Sequence, residues 1–160
     1  WITELEAEIR ELTASNESIQ RTSELLQGIP GVGPVLSTAT IIKTKNFTCF
    51  ETPRKFCCYC GSAPFEHSSG TSIRRRTRVS HLADKGMKTL LDQAAKSAIQ
   101  HDKELKAFYQ RRLEMGKSKK STINIIRNKI IYRMFAVIKR GTPFVKDYLQ
   151  TAQKLFLAVN

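Results

Sequence analysis

Between Leu25 and Ala39 the chain reads Leu-Leu-Gln-Gly-Ile-Pro-Gly-Val-Gly-Pro-Val-Leu-Ser-Thr-Ala, and few folds accommodate that run. An apolar helix end meets Ile29-Pro30-Gly31-Val32-Gly33. Pro34 then stands in the first turn of a second helix, where a missing N–H costs nothing. Gly31 and Gly33 let the backbone turn tightly and, with Val32 between them, leave bare amides at the positive end of a helix dipole. Such amides form a socket for a phosphate oxygen. The spacing over residues 25–43 is that of a helix-hairpin-helix, a module that holds the DNA backbone without reading bases. A plain turn between two core helices is the competing reading.

The segment upstream carries a heptad. Ile2, Ile9, Asn16 and Ser23 fall at one seam position, and Leu5, Leu12, Ile19 and Leu26 at the other. Residues 2–26 contain neither Gly nor Pro and are rich in Glu. This predicts a coiled-coil helix over residues 1–27, with Asn16 as the buried amide that fixes register, and a homo-oligomer formed through residues 2–26. The alternative is an amphipathic helix lying on its own domain. The chain opens on Trp1 directly inside this helical pattern, and the expectation is that it is a piece of a longer protein.

Charge divides the chain at the same place. Up to Gly28 there are six acids and two bases; from Ile29 onward 25 Lys and Arg face 8 Asp and Glu, a net of +17 within a total of +13. A basic half of that strength points to a polyanionic partner. No apolar run approaches membrane-spanning length, no signal peptide opens the chain, and a cytoplasmic setting is expected. Three of the four cysteines (Cys57, Cys58, Cys60, with Cys49 apart) crowd within four residues, which suits no disulfide framework. Cys57-x-x-Cys60 with His67 and His81 has the wrong spacing for a zinc finger, and small core residues are the better reading. No metal site is expected within the chain.

Residues 28–160 read as one helical domain. A short helix begins at Pro53-Arg54-Lys55 and ends near Gly61. Glu66-His67-Ser68-Ser69-Gly70-Thr71-Ser72 then runs into Ile73-Arg74-Arg75-Arg76-Thr77-Arg78. Hydroxyls beside dense guanidinium groups suit a phosphodiester nucleophile, and they suit a passive phosphate clamp equally well. Further helices follow: one capped by Asp84 with Leu90, Leu91, Ala94, Ala95, Ala98 and Ile99 inward, one from about Asp102 to Met115, and one from about Ser118 to Lys139. Lys117, Lys119 and Lys120 add candidate phosphate contacts, and Arg127 is placed with the basic outer faces. Gly141-Thr142-Pro143 precedes a last helix through Tyr148, Leu149 and Leu155. The fold class is all-α, with at most one small β-hairpin near residues 66–80.

Taken together, Ile29-Pro30-Gly31-Val32-Gly33-Pro34, Pro53-Arg54-Lys55, Tyr59-x-Gly61-x-Ala63-Pro64, Ser69-Gly70, Lys85-Gly86, Phe108-Tyr109, Gly116-Lys117 and Gly141-Thr142-Pro143-Phe144 resemble the C-terminal half of transposases of the insertion-sequence-110 (116/902) family. The likeness runs over roughly residues 20–145. It implies a DNA recombinase whose serine, mapped onto Ser69, attacks a DNA phosphate and forms a phosphoserine link. Arg74, Arg75, Arg76 and Arg78 would position the phosphates. It also implies DNA as substrate, a guide (bridge) RNA as partner, and a separate N-terminal RuvC-like domain whose four carboxylates bind divalent metal such as magnesium. On that basis this chain alone binds nucleic acid without cutting it. Where the family has Leu-Ala-Ala-Tyr-Ala-Gly, this chain has Phe56-Cys57-Cys58-Tyr59-Cys60-Gly61, which favours the core reading of the thiols. The competing functions are a non-catalytic helix-hairpin-helix module and a coiled-coil piece whose basic half binds RNA structurally.

Overall fold

Five of the seven helices among the described residues begin where a short polar side chain takes one of the first free amides. The computed structural model describes residues 1–63, 68–69, 73–74 and 83–146. Within them lie α1 (Ile2–Ala14), α2 (Glu17–Gln27), α3 (Pro34–Thr44), α4 (Pro53–Tyr59), α5 (Lys85–His101), α6 (Lys103–Glu114) and α7 (Lys119–Arg140). Asn16, Thr52, Asp84, Asp102 and Ser118 each accept a hydrogen bond from the amide three residues on, satisfying donors that a helix start leaves free. Gly116 and Gly141 end α6 and α7 in the left-handed region, at φ +72° and +66°. The strands β1 (Ser68–Ser69) and β2 (Ile73–Arg74) pair antiparallel, Ser68 with Arg74 and Ser69 with Ile73. The fold is all-α with one small hairpin. The last expected helix, through Tyr148, Leu149 and Leu155, lies outside the described residues.

The heptad does not form one helix. Ser15 and Asn16 interrupt it, and Asn16, expected as a seam amide, is extended (φ −119°, ψ 107°) and caps α2 by accepting from the Ile19 N–H. An Asn side chain competes for backbone donors, so a cap outcompetes an interior helical position here. The seam splits with it. In α2, Ser23 and Leu26 are buried, and the Ser23 hydroxyl lies 3.3 Å from that of Ser37 in α3; this half packs within the chain and is closed to a partner. In α1, Ile2, Leu5, Ile9 and Leu12 are exposed.

The core sits between α5 and α7, with α2 and α3 on one side, α4 and α6 beyond. Leu91, Ala94, Ala95 and Ala98 of α5 and Ile126, Ile130, Met134 and Val137 of α7 belong to one core cluster, all nearly or fully buried. The small residues of α5 include Ala94 and Ala98, against which the α2–α3 turn packs at Gly31, while the β-branched and Met side chains of α7 supply bulk to the core. An aromatic cluster seals the α4 end: Phe56 is fully buried, Phe50 lies 5.1 Å from it edge-on, and Phe47 meets Phe135 at 4.9 Å. Seating Phe47 there has a backbone cost. Lys45, Asn46 and Phe47 are three consecutive left-handed residues, at φ 48°, 53° and 63°, with the Phe47 amide donating to Thr44 Oγ1 at 2.9 Å. Arg127, expected on an outer face, is buried instead. Its pKa is pushed down by desolvation, opposed by Asp92, and its Nε has no hydrogen-bond partner.

Candidate nucleic-acid interface

The turn between α2 and α3 is built from outside in. Ile29 and Val32 are buried, anchoring the turn to the core, and the Val32 amide donates to the Ile29 carbonyl at 3.0 Å. Val32 therefore offers no free amide. Gly31 has φ +88°, and a Cβ there would stand 2.4 Å from the Ala94 carbonyl oxygen and 2.8 Å from Ala98 Cβ. Both conformation and close approach to α5 demand glycine. Gly33 differs: it is extended (φ −94°, ψ 178°), precedes Pro34 as the cap of α3, and has open space around it. The amides of Gly31, Gly33, Val35 and Leu36 donate to no acceptor among the described residues. A cleft of about 480 Å³ opens here between the turn and α5, its polar lining including Gln27, Gln93, Ser97 and the side of Lys146. Free amides at a helix start beside a lysine suit an anion.

A second set of groups gathers where the segment containing Ser69 leaves and rejoins the helices. On the leaving side Ser62 is fully buried; its hydroxyl donates to the Cys57 carbonyl at 3.1 Å, and its own carbonyl accepts from Asn124 Nδ2 at 2.7 Å and Asn128 Nδ2 at 3.3 Å. On the rejoining side Asp84 serves three helices. Its Oδ1 accepts from the Met87 amide at 2.9 Å; its Oδ2 accepts from Tyr59 Oη at 3.0 Å and pairs with Lys43 Nζ at 2.9 Å. The Asp84 amide donates to the Tyr59 carbonyl at 2.9 Å. The backbone bond from Met87, then Lys43, holds the Asp84 carboxyl down at about 2. Asp84 in turn raises Lys43, while burial and then Asp84 raise Tyr59.

Ser69 lies in β1 opposite Ile73, and Arg74 in β2 opposite Ser68; the placement of their side chains, and Arg75, Arg76 and Arg78 altogether, lie outside the described residues. Cys57 and Cys60 are buried as small core residues, burial pushing Cys57 up to about 11 and Cys60 higher still; Cys49 is exposed. His67 and His81 lie outside the described residues, and among those described no three His, Cys, Asp or Glu side chains group as a metal site. Lys117, Lys119 and Lys120 are exposed around the start of α7, whose first turn holds no acid. Cations at that end oppose the helix dipole, so this placement lowers stability and favours anion contact. In the sequence Asp84 reads only as a cap, and Lys43, Tyr59, Asn124 and Asn128 carry no signal as a group. Their partners are 25 to 66 residues away, beyond any local pattern.

A profile of the transposase IS116/IS110/IS902 family matches residues 23–110, from the middle of α2 into α6 and more than half of the chain. The chain belongs to the IS116/IS110/IS902 transposase family. The match includes the glycine turn, the Lys43–Tyr59–Asp84 cluster and Ser69. Curated relatives of this transposase domain include the pilin gene-inverting proteins of Moraxella bovis and Moraxella lacunata, each 27% identical over 146 residues, covering 91% of this chain and 45% of theirs. A 43.6 kDa protein of insertion element IS110 from Streptomyces coelicolor is 26% identical over 138 residues, covering 86% of this chain and 33% of its own. The chain thus spans less than half the length of these relatives. Among the described residues, no helix of the transposase domain is long and apolar enough to cross a membrane.

Proposed function

We propose that this chain is the DNA-binding, serine-bearing part of a cytoplasmic transposase that cuts and rejoins DNA through a phosphoserine intermediate with Ser69 as nucleophile. The observation that carries this reading is the family match across residues 23–110, which brings the glycine turn and Ser69-Gly70 into one matched unit. Relatives named for inverting a pilin gene favour an activity that rejoins what it cuts. In the proposed step Ser69 Oγ loses its proton and bonds to phosphorus while one deoxyribose oxygen leaves and gains a proton. The serine ester conserves the phosphoester bond, and a second DNA hydroxyl reverses the step to rejoin. Arg74, Arg75, Arg76 and Arg78 neutralise charge building on the phosphoryl oxygens.

The free amides of Gly31 and Gly33 grip a neighbouring backbone phosphate, as a helix-hairpin-helix does, and Lys117, Lys119 and Lys120 extend the contact. Divalent metal belongs to a further carboxylate domain of the longer protein, as the family resemblance implies, and a guide RNA selects the target. Self-association uses the exposed stripe of α1. The test is a denaturation-resistant protein–DNA adduct, assayed in the full-length transposase on DNA carrying its own element ends. Adduct forms with wild type and Ser68→Ala and vanishes with Ser69→Ala. Persistence in Ser69→Ala removes the nucleophile and leaves a non-catalytic helix-hairpin-helix module.

A further inference from the structure

We infer that Lys43, Tyr59 and Asp84 are positioning residues for the Ser69 step: they fix the points where the Ser69-bearing segment leaves and rejoins the helices, at the far end of α3 from the Gly31–Gly33 turn. This rests on the proposed function above. Its basis is the way two antiparallel helices are joined at both ends. At one end, Gly31 lies against Ala94 and Ala98 of α5, so closely that no Cβ fits. At the other, Lys43, in the last turn of α3, reaches Asp84, the cap of α5, at 2.9 Å. The 11 residues of α3 span roughly 16 Å, and the stretch of α5 from its start to the Gly31 contact spans a similar length. The phosphate turn and the foot of the serine segment are thus opposite ends of one rigid frame.

The third member fixes the foot itself. Tyr59 and Asp84 bracket the whole segment and close it twice, through Tyr59 Oη to Asp84 Oδ2 and through the Asp84 amide to the Tyr59 carbonyl. One carboxylate therefore joins α3, α4 and α5. The Lys43–Asp84 pair is partly solvated, with Lys43 44% exposed. Ion pairs of that kind add little stability, so the cluster's value lies in geometry. The other foot is held independently, through the Ser62 carbonyl on Asn124 and Asn128. Asp84 has both oxygens occupied within the fold, which makes it a support and leaves the chemistry to Ser69.

The experiment is single-turnover adduct formation by the full-length transposase, with its guide RNA, on a plasmid carrying its own element ends at saturating DNA. Equilibrium DNA affinity and Tm are measured beside it. Lys43→Met and Tyr59→Phe slow adduct formation on the order of 10- to 100-fold, the scale of a misplaced reacting group, with affinity and Tm little changed. Lys43→Arg, which keeps the charge pair, recovers most of the rate. Asp84→Asn retains the helix cap and slows the reaction as Lys43→Met does. Hydrogen exchange across residues 64–82 rises in Lys43→Met and stays at the wild-type level in Lys43→Arg. Wild-type adduct rates in Lys43→Met and Tyr59→Phe, with Ser69→Ala inactive, overturn the positioning role while leaving the nucleophile in place. Loss of affinity alone in Lys43→Met also overturns it, making Lys43 a direct DNA contact. Adduct surviving in Ser69→Ala instead removes the nucleophile reading beneath both.

Discussion

Two glycines one residue apart illustrate how differently one residue type can be used. Gly31 is bound by a left-handed φ and by the Ala94 carbonyl 2.4 Å from where its Cβ would be, whereas Gly33 is extended and faces open space. Gly31→Ala is therefore expected to lower unfolding free energy by roughly 2–4 kcal/mol, from left-handed strain plus overpacking, measured by urea denaturation. Gly33→Ala leaves stability near wild type and weakens DNA binding, because an added methyl crowds the free amides. If both variants are equally stable, the close approach to α5 is wrong. Lys45, left-handed and exposed, predicts the opposite sign: Lys45→Gly stabilises by about 1 kcal/mol, since glycine takes that φ without strain. Asp84 supplies a pH signature. Its folded value of about 2 lies below the ordinary 3.8, so its contribution is complete above the ordinary value and is lost as pH falls through about 2. Asp84→Asn should flatten the fall in stability across that acid window and leave neutral-pH cooperativity intact. An unchanged acid limb would sink the assignment.

At the scale of elements, caps and ion pairs decide where helices stop and how they stay together. Asp102 caps α6 through the Leu105 amide at 3.1 Å and also pairs with Arg133 of α7 at 2.6 Å, both side chains largely buried. Arg133 also meets Glu104 and lies 4.7 Å above the Phe144 ring. Removing the carboxylate leaves a buried guanidinium without its closest partner. Asp102→Ala should cost about 3–5 kcal/mol, read from chemical denaturation, while Asp102→Asn keeps the cap and costs less. The acidic first helices show the limits of a periodic pattern. A seven-residue repeat specifies a stripe, and whether that stripe meets another chain or its own domain depends on what else competes for it. Here α2 is claimed by α3, and only α1 keeps its stripe open. Leu5→Glu with Leu12→Glu should shift sedimentation toward monomer without changing Tm; no shift in sedimentation would return α1 to a role within the chain.

For the molecule as a whole, charge is the property that scales. The basic half carries +17, and its exposed lysines near α7 sit where the helix dipole disfavours them. Binding of DNA by this chain should weaken steeply with salt, log K falling against log salt by roughly 0.9 for each phosphate neutralised. Joint replacement of Lys117, Lys119 and Lys120 by Ala should reduce that slope by about three of these increments if each lysine meets a phosphate. A slope unchanged by the triple variant would remove this lysine group from the interface.

The sequence by itself determined what is local or additive. Helix starts at Asp84, Asp102 and Ser118, stops at Gly116 and Gly141, the turn at Gly31–Gly33, the all-α class and the basic character all follow from one residue and its near neighbours, or from sums over the chain. Cap and turn energies act within four residues, so the chain carries them openly. Tertiary structure decided what depends on competition between distant groups. It broke the heptad at Asn16, buried Ser23 and Leu26 against α3, drew Arg127 inward, and pressed Gly31 onto α5. It also brought Lys43, Tyr59 and Asp84 to a single carboxylate. No periodicity encodes that meeting, because it exists only once α3, α4 and α5 have packed around a common core.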